Sequence, residues 1–315
     1  MNLFHKFSEF IASHDLAYKI YNQSRFLRYL HKKYLDHIFE SNLARVKRHI
    51  SFQESEAVIE YLGFKMAIDL NQKHDIQFLI LKDKNLIYEI EVVQYLRQVI
   101  EGDSVFVDIG ANNGFYSLFV ASLSPKSVIY SFEPVPGTFK RLVRNLEINN
   151  FRNAHIFNLA LGSKEGDALI SISSIEDGLN SLKEIESVES KIPVHMSTLD
   201  NILYPRKIDI IKIDVEGYEE EVLKGAKKTI NENKNIKIIF EHNRVFSGNS
   251  DNGINFLTDL GFNIYSIHYA NDKGISLSEI SDNRSLPSLC NLLAMRNGEK
   301  LSVTESKLNY LRFRR

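Results

Sequence analysis

Cysteine is all but missing from this chain. One thiol in 315 residues, Cys290, excludes an internal disulfide and makes a reducing compartment the expected setting. Within Leu289-Cys290-Asn291-Leu292-Leu293 it reads as a strand thiol rather than a nucleophile. No segment approaches the roughly 18 apolar residues that cross a bilayer. The first residues lack the apolar core of a signal peptide, so a cytoplasmic protein is expected. An excess of either charge is absent too: 39 Lys/Arg against 40 Asp/Glu leave a formal net charge of -1. Nucleic-acid surfaces are normally clearly basic, and no Asn-Pro-Pro-Tyr-like motif appears, so no nucleic acid is expected as a partner. Internal repeats and low-complexity tracts are also lacking.

What is present is an apolar run, Val105 to Ile109, that ends on an acid and turns sharply. Asp108-Ile109-Gly110-Ala111-Asn112-Asn113-Gly114 leads into an apolar stretch, Phe115 to Ala121, with helical character. This is the first strand–turn–helix of a nucleotide-binding α/β domain. Nineteen residues after Gly114, the run Val128 to Phe132 delivers Glu133 to a second strand end, where a carboxylate accepts ribose hydroxyls.

The glycine spacing selects the nucleotide. A dinucleotide fold uses three glycines so that a pyrophosphate rests on the helix N-terminus. Here only Gly110 and Gly114 are present, and Asp108 lies two residues before the first. An acid there repels a pyrophosphate but suits the ammonium of an amino-acid moiety. S-adenosylmethionine carries that moiety and a ribose and has no phosphate. A nicotinamide oxidoreductase is disfavoured on the same grounds. An ordinary βα turn is the plain alternative, since a lone glycine pair is a weak signal.

Five motifs then occur in one order. They are Asp108-Ile109-Gly110-Ala111-Asn112-x-Gly114, Phe132-Glu133-Pro134, Asn158-Leu159-Ala160-Leu161-Gly162, Thr198-Leu199-Asp200 and Ile211-Lys212-Ile213-Asp214-Val215-Glu216-Gly217. Over residues 88–242 the chain resembles the FkbM family of S-adenosylmethionine-dependent methyltransferases. The resemblance implies a Rossmann-like seven-stranded class I methyltransferase sheet. It also implies S-adenosylmethionine as cofactor and O-methylation of a small-molecule hydroxyl, on a sugar, other glycoconjugate or polyketide. A fold relative that binds the cofactor without catalysis, as scaffold or sensor, is the alternative.

In open α/β sheets ligands lie at the carboxyl ends of strands, which ranks the polar residues there first. Asp108, Gly110, Asn112 and Gly114 are expected to hold the methionine part, and Glu133 the ribose. Asn158 and Ala160 close a third strand near an adenine edge, with a structural turn the equal reading for Asn158. On the fourth strand, Lys212 and Asp214 share a face by the two-residue period. A lysine within an isoleucine run needs a charged partner, so Lys212 is expected to hold Asp214 or Glu216. Asp214 and Glu216 are the catalytic candidates there. A carboxylate of ordinary pKa is a weak base for an alcohol, so His242, after Glu241 at the fifth strand tip, is the expected proton acceptor. Equally, His242 begins a loop and bonds to backbone. Asp214, Glu216, Glu241 and His242 would also offer ligands to Mg²⁺, although nothing in their spacing demands a metal. His155, His195 and His268 read as structural, and helix capping is the simpler account of Thr198 and Asp200.

Three divisions are expected: a helical extension over 1–50, a methyltransferase domain over 51–300 and a basic tail over 301–315. Residues 1–50 carry nine Lys/Arg against four Asp/Glu, an excess of five. They read either as a basic amphipathic helix in peripheral contact with an anionic membrane or partner, or as a cap packed on the domain. A hairpin is expected over 58–81, a helix over 88–100, and strands over 104–109, 128–133, 155–160, 208–214 and 236–241. Helices fill 115–123, 136–149 and 218–230. Phe262 to His268 and Leu289 to Met295 complete the sheet with an antiparallel end, and polar turns over 163–197 rim the site.

Overall fold

The computed structural model describes residues 56–70, 72–83, 86–173, 188–243, 251–270, 274–283, 286–287 and 289–296. The expected extension 1–50 and tail 301–315 lie outside them. The described residues open with a hairpin, β1 (Glu56–Tyr61) and β2 (Phe64–Asp69), joined at Leu62-Gly63. Both turn residues have positive φ, 52° and 91°, the backbone that matches strand twist in a two-residue turn. Then come α1 (Lys73–Asp83) and α2 (Ile90–Val99).

The alternating region follows: β3 (Val105–Ile109), α3 (Phe115–Leu123), β4 (Val128–Phe132), α4 (Pro136–Ile148) and β5 (Ala154–Phe157). Pro136 opens α4, where its missing N–H costs nothing. A side unit comes next, with β6 (Ala160–Leu161), β7 (Gly166–Ser173) and β8 (Val188–Ser197). The chain returns through α5 (Leu199–Leu203), β9 (Ile210–Ile213), α6 (Glu219–Gly225), α7 (Lys227–Glu232) and β10 (Lys237–Asn243). The described residues close with α8 (Asn252–Asp259), β11 (Phe262–Ala270), β12 (Gly274–Glu279) and β13 (Leu289–Arg296).

The main sheet has the order β12-β11-β13-β10-β9-β3-β4-β5. Strands β3, β4, β5, β9 and β10 pair in parallel, and β13 runs antiparallel between β10 and β11. The sheet has eight strands, not the seven expected; seven of them fall in the expected runs, the one over 155–160 only as far as Phe157. The eighth, β12, hairpins onto β11 and becomes an edge. Valine and isoleucine dominate the central strands because both faces are covered. On one face Phe106, Ile129, Ile210 and Ile239 pack with α2, α3, α4 and the β1–β2 hairpin. On the other, Val107, Ile211, Ile213 and Ile238 pack with α5 to α8.

The chain winds outward from β3 to β5 and then crosses back to β9 on the far side of β3. That reversal opens a crevice at the carboxyl ends of β3 and β9, the place where such sheets bind ligands.

Four expectations need correction. Residues 76–81 form part of helix α1, not the second hairpin strand; their short apolar run fits either period. The polar turns expected over 163–197 include the long strands β7 and β8. The single strand expected over 155–160 divides, with Ala160 in a separate three-stranded sheet. The helix over 218–230 breaks at Ala226. Thr198 does cap α5, accepting the Asn201 N–H at 3.0 Å, and Asp200 caps α7 through the N–H groups of Lys228 and Thr229 at 2.9 and 2.7 Å.

Phe78 stacks on Phe115 at 5.3 Å between centroids and meets Tyr61 and Tyr88 edge-on or tilted. Phe78→Ala should therefore lower unfolding free energy by about 3–5 kcal/mol in urea titration. A loss below about 1 kcal/mol would mean that α1 does not share the domain core.

Candidate functional site

The glycine turn is built by close approach. Gly110 has φ +77°, and a Cβ there would lie 1.8 Å from the Asp214 carbonyl oxygen. Only glycine lets the tips of β3 and β9 meet in this way. The Asp214 N–H donates to the Ile109 carbonyl at 2.9 Å, and the N–H groups of Gly110 and Ala111 both donate to the Phe132 carbonyl at 3.0 Å. Gly114, at φ +92°, starts α3 against Leu142, whose Cδ1 would stand 2.6 Å from an added Cβ. Asn112 between them also has positive φ, 51°.

Glu133 sits where β4 ends and is buried. Its Oε2 accepts the Asn112 N–H at 3.0 Å and its Oε1 the Val135 N–H at 2.9 Å. Burial pushes its pKa up to about 7, against the two backbone bonds. A carboxylate has about four acceptor positions, so one remains on each oxygen for a pair of hydroxyls. Asn158 is exposed, and its amide donates to the carbonyls of Glu133 and Pro134 at 2.9 and 3.0 Å. The turn reading of Asn158 thus has a geometric basis, and its amide nitrogen is committed to that loop.

Two cofactor candidates are placed differently from expectation. Asp108 does not face the open end of the crevice: it is 2 % exposed and accepts the Ser117 hydroxyl at 2.5 Å. The Ser117 hydroxyl also lies 2.7 Å from that of Ser131. Strand alternation turns Asp108 under α3, in register with Lys212. Burial raises its pKa to about 6, despite Ser117 and the charge of Lys212. Ala160 is buried with Ile170, Val194 and Met196 in the side unit, because the chain leaves the main sheet at Phe157. It does not stand at the β5 tip.

Beyond the turn, acids gather around one lysine. Lys212 is fully buried, and its Nζ lies 3.0 Å from Asp214 Oδ2 and 5.3 Å from the Tyr116 ring centre. Burial alone would lower its pKa; Asp214, Glu89 and Glu241 outweigh that and hold it above its usual value. One oxygen of Glu89 accepts both the Tyr116 hydroxyl at 2.5 Å and the Asn291 amide at 2.9 Å. Asp214, Glu216 and Glu241 bring carboxylate oxygens within 4.8 Å of one another. Burial, then the charge of Asp214, pushes Glu216 and Glu241 upward. Glu216 adopts φ +51°, and Glu219 pins the same turn by accepting the N–H groups of Gly217 and Val215 at 3.0 and 3.3 Å. These three carboxylates are the described residues placed to hold a cation, and the Lys212 ammonium already neutralises part of their charge.

The structure separates His242 from this group. Neighbouring residues on a strand face opposite ways, so Glu241 joins the acids while His242 turns behind the sheet. There it is 5 % exposed, with Nε2 3.8 Å from Asp251 Oδ1 at the start of α8. The expectation of His242 as proton acceptor beside Asp214 is corrected accordingly. His155 stacks on Tyr130, and His195 pairs with Asp167 across the β7–β8 hairpin at 2.7 Å. Glu89 was missed in the sequence because no motif or period surrounds it; its positive φ of 39° is visible only in the fold.

Comparison with known proteins fits this geometry. Residues 108–264 match the family described as the methyltransferase FkbM domain. A Beauveria bassiana protein named Methyltransferase 1 is 28% identical over 145 residues, covering 39% of this chain and 58% of its own length. A Haloferax volcanii protein named hexuronic acid methyltransferase AglP is 29% identical over 140 residues, covering 44% of this chain and 56% of its own. The 2-O-methyltransferase NoeI of Sinorhizobium fredii is 26% identical over 164 residues, with shares of 46% and 67%. This chain thus spans little more than half the length of the first two. A solved structure of P. horikoshii TYW2 in complex with MeSAdo is 14% identical over 78% of this chain and 73% of its own, with a TM-score of 0.42. At that distance, the fold assignment rests on strand order and not on the likeness.

Replacing Lys212 by Met would leave several buried carboxylates facing one another without their cation. Removing one partner of a buried pair in this way should cost about 3–5 kcal/mol in denaturant titration. Wild-type stability would mean that the acids do not depend on the ammonium.

Proposed function

Since residues 108–264 place this chain in the FkbM methyltransferase family, we propose that it is an S-adenosylmethionine-dependent O-methyltransferase acting on a sugar hydroxyl. The observation that carries this reading is the pairing of two different ends in one crevice. The two-glycine turn with Glu133 lies on one side, and the acids of β9 and β10 on the other. The residues fit the cofactor by two structural criteria. Gly110 lets the turn close against β9, and Glu133 keeps an acceptor position on each oxygen. The acids around Asp214 make a poor place for pyrophosphate and a good one for a cationic sulfonium. Gly110, Asn112 and Gly114 would hold the amino-acid end and Glu133 the ribose. Asp108 acts from below, through Ser117. When bound, the cofactor supplies a methyl group already activated by positive sulfur.

The protein then has to align the acceptor and take its proton. Asp214, fixed by Lys212, orients the acceptor hydroxyl. Glu241 receives the proton: it faces the same side as Asp214, and its raised pKa brings it nearer to working pH than an ordinary carboxylate. Glu216 completes the acid wall. The names of the Haloferax and Sinorhizobium relatives, a hexuronic acid methyltransferase and a 2-O-methyltransferase, support a glycan or glycoconjugate acceptor.

Titration calorimetry with S-adenosylhomocysteine tests the cofactor placement. Ribose hydroxyls call for the ionised form of Glu133, which is lost as pH falls through about 7. Affinity should therefore drop by up to about tenfold between pH 8 and pH 6, and the drop should vanish in Glu133→Gln. No binding at millimolar ligand would remove the assignment. For catalysis, Glu241→Gln and Asp214→Asn should each lower kcat on a glycan acceptor by about a hundredfold or more, with affinity for S-adenosylhomocysteine little changed. Cofactor binding with no methyl transfer across a broad acceptor panel would favour a scaffold or sensor instead.

A further inference from the structure

A buried polar clamp reaches the glycine turn from a segment that precedes the sheet. Asn113, between Asn112 and Gly114, is 1 % exposed, so its side chain lies beneath the turn. Its amide nitrogen donates to Asp75 Oδ1 on α1 at 2.9 Å. Its backbone carbonyl accepts the amide of Asn145 on α4 at 2.8 Å. Asp75 is fully buried, and its other oxygen accepts the Asp69 N–H at 3.0 Å and lies 3.7 Å from Arg141 Nε. Asn145 is fully buried as well, and its Oδ1 takes the Ala67 N–H of β2 at 2.6 Å. Two helices distant in sequence thus converge on one residue of the turn, and β2 braces both of their side chains.

The orientation of this network is fixed by chemistry. The carboxylate oxygen of Asp75 is the acceptor, so the Asn113 nitrogen is the atom that faces it. The Asn113 oxygen is then left buried without a hydrogen-bond partner among the described residues. Keeping a buried carboxylate and an unsatisfied amide oxygen costs stability that apolar packing would not. Such networks do specify one geometry. The turn needs that help, because positive-φ residues flank Asn113 on both sides, Asn112 at 51° and Gly114 at 92°. Asn112 persists there only if its surroundings hold it.

We propose that Asp75 and Asn145 are positioning residues for the cofactor, acting through Asn113 to hold the turn in its binding shape. Residues 56–83, outside the matched family domain, are then part of the cofactor site and not a peripheral cap. The inference rests on the placement of S-adenosylmethionine at the turn.

Calorimetry with S-adenosylhomocysteine on the full chain tests it, beside thermal melts and steady-state kinetics. Asp75→Asn sets an amide against one of its two donors, and Asn113→Asp sets two carboxylates together. The double variant restores both bonds with polarity reversed, since residue 75 would then donate to residue 113 and still accept from Asp69. Each single change should weaken S-adenosylhomocysteine binding about tenfold or more, and the pair should return it to within about threefold of wild type. KM for the acceptor at saturating cofactor should stay unchanged throughout. Should a single variant fail to fold, Asn145→Asp keeps the acceptor for Ala67 and replaces the donor to Asn113 by a carboxylate oxygen facing its carbonyl; it should weaken binding in the same way. Melting temperatures that fall while binding stays at wild-type strength would overturn the proposal and leave the clamp purely structural. Wild-type protein that does not bind S-adenosylhomocysteine would instead remove the cofactor placement itself.

Discussion

Everything at this site depends on how closely two strand tips meet. The backbone of β3 comes so near that of β9 at Gly110 that no side chain fits between them, and Asp214 donates its N–H to Ile109 across the gap. Parallel strands are ordinarily about 4.8 Å apart, so a turn leaving one of them is already near its neighbour. Dropping the Cβ lets the turn fold back over that neighbour. The glycine turn and the acid end of the crevice become adjacent by construction. Any larger residue at 110 would have to push them apart.

The second constraint is charge. Asp108, Asp214, Glu216, Glu241 and Glu89 are each buried or half-buried, and Lys212 is the cation placed among them. A buried lysine in an isoleucine strand would be costly alone, as would the acids. Together they balance well enough to persist, and the balance keeps strongly polar groups at the strand ends of an otherwise apolar sheet. Tyr116 closes the arrangement, with its ring beside the ammonium and its hydroxyl on Glu89. The turn helix α3 thereby contributes to both ends of the crevice.

Local chemistry was legible in the sequence, and long-range placement was not. The run from Val105 to Gly114, with Glu133 beyond it, announces its strand, turn and second strand because each signal lies within a few residues of the next. The pairing of Lys212 with Asp214 follows from strand period and from the cost of a bare buried ammonium. His242 misled because a strand tip offers two faces, and sequence alone does not say which one the crevice uses. Asp108 misled in a related way: one residue short of the strand end, it turns inward. The clamp of Asp75 on Asn113 joins positions 38 apart with no shared motif. Glu89 likewise belongs to no pattern, and only the fold brings Asn291 to it. Residues 76–81 show the limit of short apolar runs, which suit a strand or a helix by pattern alone.

The reversed strand β13 carries a consequence for how the molecule comes into being. It is the last strand among the described residues, yet it fills the gap between β10 and β11, and its Asn291 supplies a donor to Glu89. As the polypeptide leaves the ribosome, β10 and β11 each present a bare edge until residues 289–296 emerge, and such edges invite pairing with other chains. The cofactor turn, by contrast, can assemble well before. A nascent chain would thus form the glycine turn first and complete the acidic wall only once β13 has emerged.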